Sequence, residues 1–110
     1  MKLRLEDNTL RLRLSPEEVA EFSRQGRLET VVPLGLSPQD RLVYTLERDE
    51  ALAGNMPMVR YGTGALAVQL PAALADEWTS TTEVSLRGTT DVADNQVLHI
   101  LVEKDLGCKH

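Results

Sequence analysis

Lys2, Arg4, Arg11, Arg13, Arg27, Arg41 and Arg60 stand in stretches where charged and apolar residues alternate, and no other constellation in this chain is better suited to chemistry. A guanidinium is a planar fork that grips phosphate or carboxylate oxygens with paired hydrogen bonds. Alternation puts such groups on one face of a strand, because successive side chains point to opposite sides. Closed into a barrel, eight strands of this kind would turn one face inward, where a small ligand could sit. Left open, the same residues form a solvated face of a two-layer sandwich. Arg4, Arg11, Arg13 and Arg60 are the candidate ligand-binding residues, and they qualify only if they converge within reach of one anion.

The remaining candidates are weaker. Glu103-Lys104-Asp105 echoes Glu47-Arg48-Asp49. One active site has little need of a duplicate charge set, so strand-end charges or cross-strand ion pairs are the simpler reading. Cys108 is the single cysteine and His110 lies beside it. A reactive thiol needs a base and a lowered pKa, and a structural zinc site needs about four ligands. Neither a CxxC nor an HxxxH spacing is present, so a chain end is the preferred account. Gly62-Thr63-Gly64 resembles half of a dinucleotide fingerprint, but it joins two alternating segments and reads as a hairpin turn. No catalytic residue, metal or cofactor is assigned.

Composition bounds the function. The 110 residues carry 42% hydrophobic and 26% charged residues, which suits one globular domain spanning 1–110. A formal charge of −5 argues against a nucleic-acid binder, which needs a concentrated basic patch. A lone cysteine forms no intrachain disulfide and fits a reducing compartment. Met1 to Glu6 alternates charge with leucine and lacks the apolar run of a signal peptide. The uncharged stretch Gly62 to Ala75 is too short for a membrane span and contains Pro71. These features place the chain in a bacterial-type cytosol, away from membranes.

The elements that must position the arginines repeat at an offset of 56 residues. Leu10, Leu12 and Leu14 fall on Leu66, Val68 and Leu70; Phe22 falls on Trp78, Leu28 on Val84 and Leu46 on Val102; Arg4 meets Arg60. No gap is introduced. Lys2–Glu6 and Thr9–Leu14 alternate around Asp7-Asn8, a hairpin signal. Ser15-Pro16-Glu17-Glu18 is a capping box with proline at the first helical position, and Gly26 is the stop. Strands follow at 27–32 and 41–48, and the link 49–57 has room for one helical turn at 51–53. The second half predicts strands at 58–61 and 65–70, a helix opened by Pro71, and strands at 83–87 and 97–104 around a polar loop. The expected fold is α+β. A duplicated ββαββ unit, with pseudo-repeats 1–48 and 57–104, forms one mostly antiparallel eight-stranded sheet or barrel with two helices. The strand leucines and valines of both halves, including Leu42, Val84 and Leu98, make its core under Phe22 and Trp78. On the opposite face the second half turns partly apolar at Ala65, Ala67 and Leu101, with His99 among them, and such a face is usually covered.

The segments LRLRLSPEEVAEFSRQGRLE and LHILVEKDLGC, that is LRLRLS-x-x-E-V and VEKD-x-x-C, resemble a family of short bacterial proteins known only as a domain of unknown function. The resemblance spans nearly the whole chain. Relatives usually place Phe where Leu106 stands, and often continue past the position of His110 with an acidic, proline-containing tail. It implies no activity and no catalytic residue. The triphosphate tunnel enzymes resemble the chain in element order, but their opening Glu-x-Glu-x-Lys is replaced by Lys2-Leu3-Arg4-Leu5-Glu6, which removes the carboxylate pair that would hold a metal. The reading is a non-enzymatic binding or interaction module that self-associates or takes a protein partner. The alternative is an anion- or phosphate-binding domain, phosphoryl processing included, using the basic strand face.

Overall fold

The computed structural model describes residues 1–106, so Cys108 and His110 lie outside the described residues. Strands β1 (Lys2–Glu6) and β2 (Thr9–Leu14) form an antiparallel hairpin whose turn residue Asp7 takes a left-handed backbone, φ 53°. Helix α1 (Pro16–Gln25) starts where the capping box requires: Glu18 N–H donates to Ser15 Oγ (3.2 Å), and Ser15 N–H to Glu18 Oε1 (2.9 Å). It stops at Gly26, φ 73°, whose N–H returns to the Phe22 carbonyl (2.8 Å). Strands β3 (Arg27–Pro33) and β4 (Arg41–Asp49) pair antiparallel. The link beyond β4 makes a turn at Glu50-Ala51 and no helical turn.

In the second half, β5 (Met58–Gly62) and β6 (Ala65–Pro71) pair around Thr63-Gly64. Helix α2 (Ala72–Ser80) lacks a side-chain N-cap and ends without glycine. The hydroxyls of Thr79, Ser80 and Thr81 donate instead to carbonyls one turn back. Strands β7 (Ser85–Val92) and β8 (Gln96–Lys104) complete the chain. The stretch after Gly88, expected as a polar loop, continues β7 and turns through Asp94 and Asn95 at φ 62° and 57°. Two consecutive left-handed residues are what a tight hairpin turn demands.

The eight strands form two four-stranded sheets, β1-β2-β8-β7 and β3-β4-β6-β5, and not the single eight-stranded sheet or barrel expected. Each helix carries the chain from one sheet to the other. The sheet centres are the parallel pairs β2–β8 and β4–β6, which join the first hairpin of one half to the last hairpin of the other. A parallel pair cannot be closed by a short turn, so only these crossovers make it possible. The registers recur: Thr9 opposes His99, and Ala65, 56 residues on, opposes Val43. The gapless offset fails at β7. Leu28 opposes Leu46 while Leu86 opposes Val102, so the counterpart of Leu28 is Leu86 and not Val84. The glycine stop after α1 is abrupt, whereas the Ser/Thr run after α2 inserts two residues that the shorter β7–β8 turn takes back.

The core lies between sheets and helices. Leu12, Leu14, Leu46, Leu70, Val68 and Val102 are fully buried, together with Phe22 and Trp78, whose rings meet edge-on at 6.4 Å. Leu42 and Leu98 are half-buried at its margin, and Val84 falls outside β7. Trp78 Nε1 donates to the Val84 carbonyl (3.1 Å), and Tyr44 joins the sheets by donating to the Met1 carbonyl (2.7 Å). Pro57 is buried against Gly88, where a β-carbon would stand 2.7 Å from the Pro57 carbonyl oxygen.

Truncating Trp78 to Ala is expected to cost about 3–5 kcal/mol, because it empties the largest buried side chain. Gly88→Ala should cost about 1–3 kcal/mol by forcing the seam between β5 and β7 apart. Urea denaturation checks both, and an unchanged midpoint for Trp78→Ala would show that α2 does not hold the sheets together.

Candidate functional site

No buried side-chain polar atom among the described residues lacks a hydrogen-bond partner, so the interior contains no polar group awaiting a ligand. No group of three His, Cys, Asp or Glu residues there is arranged to hold a metal. Chemistry is confined to the outer faces, and these differ sharply between the two sheets.

On the first sheet, period-two alternation places Lys2, Arg4, Arg11, Arg13 and Arg87 on the outer face with Glu6, Asp91 and Glu103. Lys2 stands directly opposite Arg13, and Arg4 opposite Arg11. Arg4, Arg11 and Arg13 line one cleft of about 510 Å³ with Met1, Lys2, Leu3 and Tyr44. Glu103 is the resident counter-charge. It accepts from Arg13 Nε (3.1 Å) and Nη2 (2.8 Å), and stands 3.6 Å from Arg11 Nε. Those hydrogen bonds, more than the charge attraction that accompanies them, hold the Arg13 pKa above its ordinary value. Among the described residues Arg4 pairs with Glu6 alone, at 3.3 Å with both side chains well exposed, which is a weak pair. Acidic residues therefore neutralise one arginine of the basic face fully and two loosely.

Arg60 is elsewhere. It sits on β5, in the second sheet, and lines a separate cleft with Arg27, Glu47, Thr45 and Tyr61. Offset alignment had grouped it with Arg4, and it is indeed the register counterpart of Arg4: Arg4 opposes Arg11, and Arg60 opposes Ala67. Equivalent positions lie in opposite sheets, however, so the structure brings three of the four arginines together and separates the fourth. The partly apolar face divides the same way, with Ala65 and Ala67 on β6 and His99 and Leu101 on β8. In the second sheet Glu47 accepts from Thr45 (2.9 Å) and, weakly, from Gln69 (3.4 Å), with Arg27 at 3.7 Å; Arg27 also meets Glu29 at 2.9 Å. Arg87 lies within the predicted strand 83–87, but only the pairing of β7 with β8 brings it onto the basic face beside Leu101. Thr89 and Thr90, just before Asp91, look like loop residues until Gln96 is seen to pair with Val92.

Other charges are engaged in holding helices to strands. Arg48 forks onto Asp76 of α2 (2.8 and 2.9 Å) and reaches Glu50 (3.0 Å). Lys104, at the counterpart position, donates to the Thr81 carbonyl (2.8 Å) with its ammonium 5.5 Å from the centre of the Trp78 ring. Burial pushes the Lys104 pKa down, opposed by the charge of Glu83.

An α+β fold of two four-stranded sheets, each centred on a parallel pair, with two crossover helices, is the class that these elements define. The chain belongs to a family of unknown function, DUF7009, whose model matches residues 1–110. No curated protein and no solved structure matches it. No helix among the described residues is long and apolar enough to cross a membrane.

The Arg48 fork holds Asp76 below the usual carboxylate range, against partial desolvation. A carboxylate with a depressed folded pKa contributes stability that is complete above its unfolded pKa and disappears as pH falls through the folded value. The stability gap between the parent and Asp76→Asn should therefore be full at neutral pH and close in acid. Urea midpoints across that range test it; a gap independent of pH would show that the ion pair contributes nothing. Asp76 is exposed, so added salt should narrow the gap as well.

Proposed function

We propose that the chain is a non-enzymatic binding module and that the β1–β2 half of the first sheet's outer face receives an acidic segment of a partner protein. One observation carries this reading: like charges oppose each other twice across the hairpin, Lys2 with Arg13 and Arg4 with Arg11. Like charges directly opposite destabilise a strand pair. The core does not require them, since Lys2 and Arg4 are exposed. A carboxylate arriving from outside would do for Arg4 and Arg11 what Glu103 does for Arg13. Strand β1 is the edge of its sheet, so its outer backbone groups are open to an extended segment too.

A second reading, binding of a small anion or phosphate with phosphoryl chemistry, is favoured by the concavity of the 510 Å³ cleft. Against it, the cleft lining offers no carboxylate pair, and the nearby Glu6 and Glu103 both face arginines. We also infer that the chain is one domain made of pseudo-repeats 1–48 and 57–104. The recurring registers of β2–β8 and β4–β6 support that reading, with the two-residue shift at β7 as the departure from it.

Stability and binding should move in opposite directions at Arg4. Replacing it with Glu turns a repulsive pair into an attractive one and should raise stability by roughly 0.2–1 kcal/mol. The same change should abolish binding of an oligoglutamate peptide, titrated at low salt and followed by amide chemical shifts. Binding of the parent should weaken steeply as salt rises. A peptide that binds Arg4→Glu as well as the parent would sink the proposal. Saturable binding of triphosphate, but not of the peptide, would favour the second reading.

A further inference from the structure

The other half of the same face carries a second cleft, of about 560 Å³, with features of its own. Two adjacent rows of side chains cross it. In one, Arg11 of β2 and Arg87 of β7 flank Leu101 of β8; in the next, Thr9 and Thr89 flank His99. Met56, from the link before β5, also lines it. Two strand spacings separate the flanking backbones, about 10 Å. That gap lets two long guanidinium stems lean over the residue between them.

Leu101 is the unusual member. It is only 7% exposed, yet it is not part of the hydrophobic core cluster, because it points to the opposite side of β8 from Ile100 and Val102. A buried leucine on an outer face, between two arginines, makes an apolar floor with cationic walls. Arg87 forms no ion pair among the described residues, and Arg11 has its nearest carboxylate, Glu103, at 3.6 Å, beyond good hydrogen-bond distance. Within this cleft, neither cation is held by a carboxylate at good hydrogen-bond distance.

We propose that this cleft binds a phosphomonoester, with Arg11 and Arg87 forking the phosphoryl oxygens, Thr9, Thr89 and His99 supplying further polar contacts, and the organic body resting on Leu101 and Met56. Two guanidiniums and two hydroxyls offer more donors than the two oxygens of a carboxylate can accept, whereas a phosphoryl group presents three terminal oxygens and close to two charges. The apolar floor favours an esterified phosphate over the free ion. Binding is the whole claim, and no bond is made or broken. It shares Arg11 with the acidic-segment reading but turns on Arg87, to which that reading assigns nothing.

The test is calorimetric titration with phenyl phosphate at constant ionic strength, with inorganic phosphate, benzoate and phenyl sulfate as comparison arms. Phenyl phosphate should bind saturably, inorganic phosphate more weakly, and benzoate and phenyl sulfate more weakly still. Arg87→Gln and Thr89→Val, each verified as folded by its thermal melt, should weaken phenyl phosphate binding, the first by about tenfold or more, as loss of hydrogen bonds to a charged group implies. Arg41→Gln, on the other sheet, should leave it within about twofold. Leu101→Ala should reduce the preference for phenyl phosphate over inorganic phosphate. Absence of saturable binding by the parent, or equal binding by Arg87→Gln, would overturn the proposal. So would equal affinity for all four anions. Vesicles containing phosphatidic acid form a final arm: binding them but not the soluble ester would refute a small-molecule site.

Discussion

Everything in this molecule hangs on two parallel strand pairs, β2 with β8 and β4 with β6. Each is made from strands far apart in sequence, and each requires a partner from the other half of the chain. Neither half can form a complete sheet alone: residues before the link supply one hairpin to each sheet, and residues after it supply the other. Parallel pairing also fixes where the helices go. A chain leaving β2 must travel before it can re-enter as β3 in the other sheet, and α1 is that passage; α2 does the same between β6 and β7. The helices then lie where Phe22 and Trp78 can meet.

That dependence explains why local signals were legible and the sheet assembly was not. The Ser15 box, the Gly26 stop and the hairpins at Asp7-Asn8 and Thr63-Gly64 are decided within a few residues, and sequence chemistry states them directly. Period-two alternation in turn identified the buried faces of β2, β6 and β8. Whether eight such strands form one sheet or two depends on which strands pair across the halves, and alternation has the same appearance either way. The offset of 56 was informative at the central strands and misleading at Val84, because helix endings are set locally. Glycine after α1 and hydroxyl residues after α2 end their helices at different lengths.

The candidate site was half legible for the same reason. Arg4, Arg11 and Arg13 lie on one hairpin, so their grouping needed only a turn and a register. Arg60 aligned with Arg4 by sequence and then went to the other sheet, as counterparts in this architecture must. Arg87 joins the basic face through pairing with β8, and nothing local to residue 87 announces that.

The two sheets also act as controls for each other. Their central strands share one register and one kind of buried face, so the demands of folding at equivalent positions are closely alike. On the outside, the first sheet has Thr9, Arg11 and Arg13 along β2 where the second has Ala65, Ala67 and Gln69 along β6. The second sheet forms without those arginines, so pairing and core packing do not call for them. Beside them the first sheet has His99, Leu101 and Glu103 where the second has Val43, Thr45 and Glu47. Glutamate is present in both and gathers neighbouring polar groups in both, as a structural residue should. What differs is the excess positive charge, held on one face of a chain whose formal net charge is −5. Repulsion between Arg4 and Arg11 works against the hairpin that carries them. A cost confined to one sheet, and absent from its counterpart, is the pattern expected where a surface is shaped by what it binds.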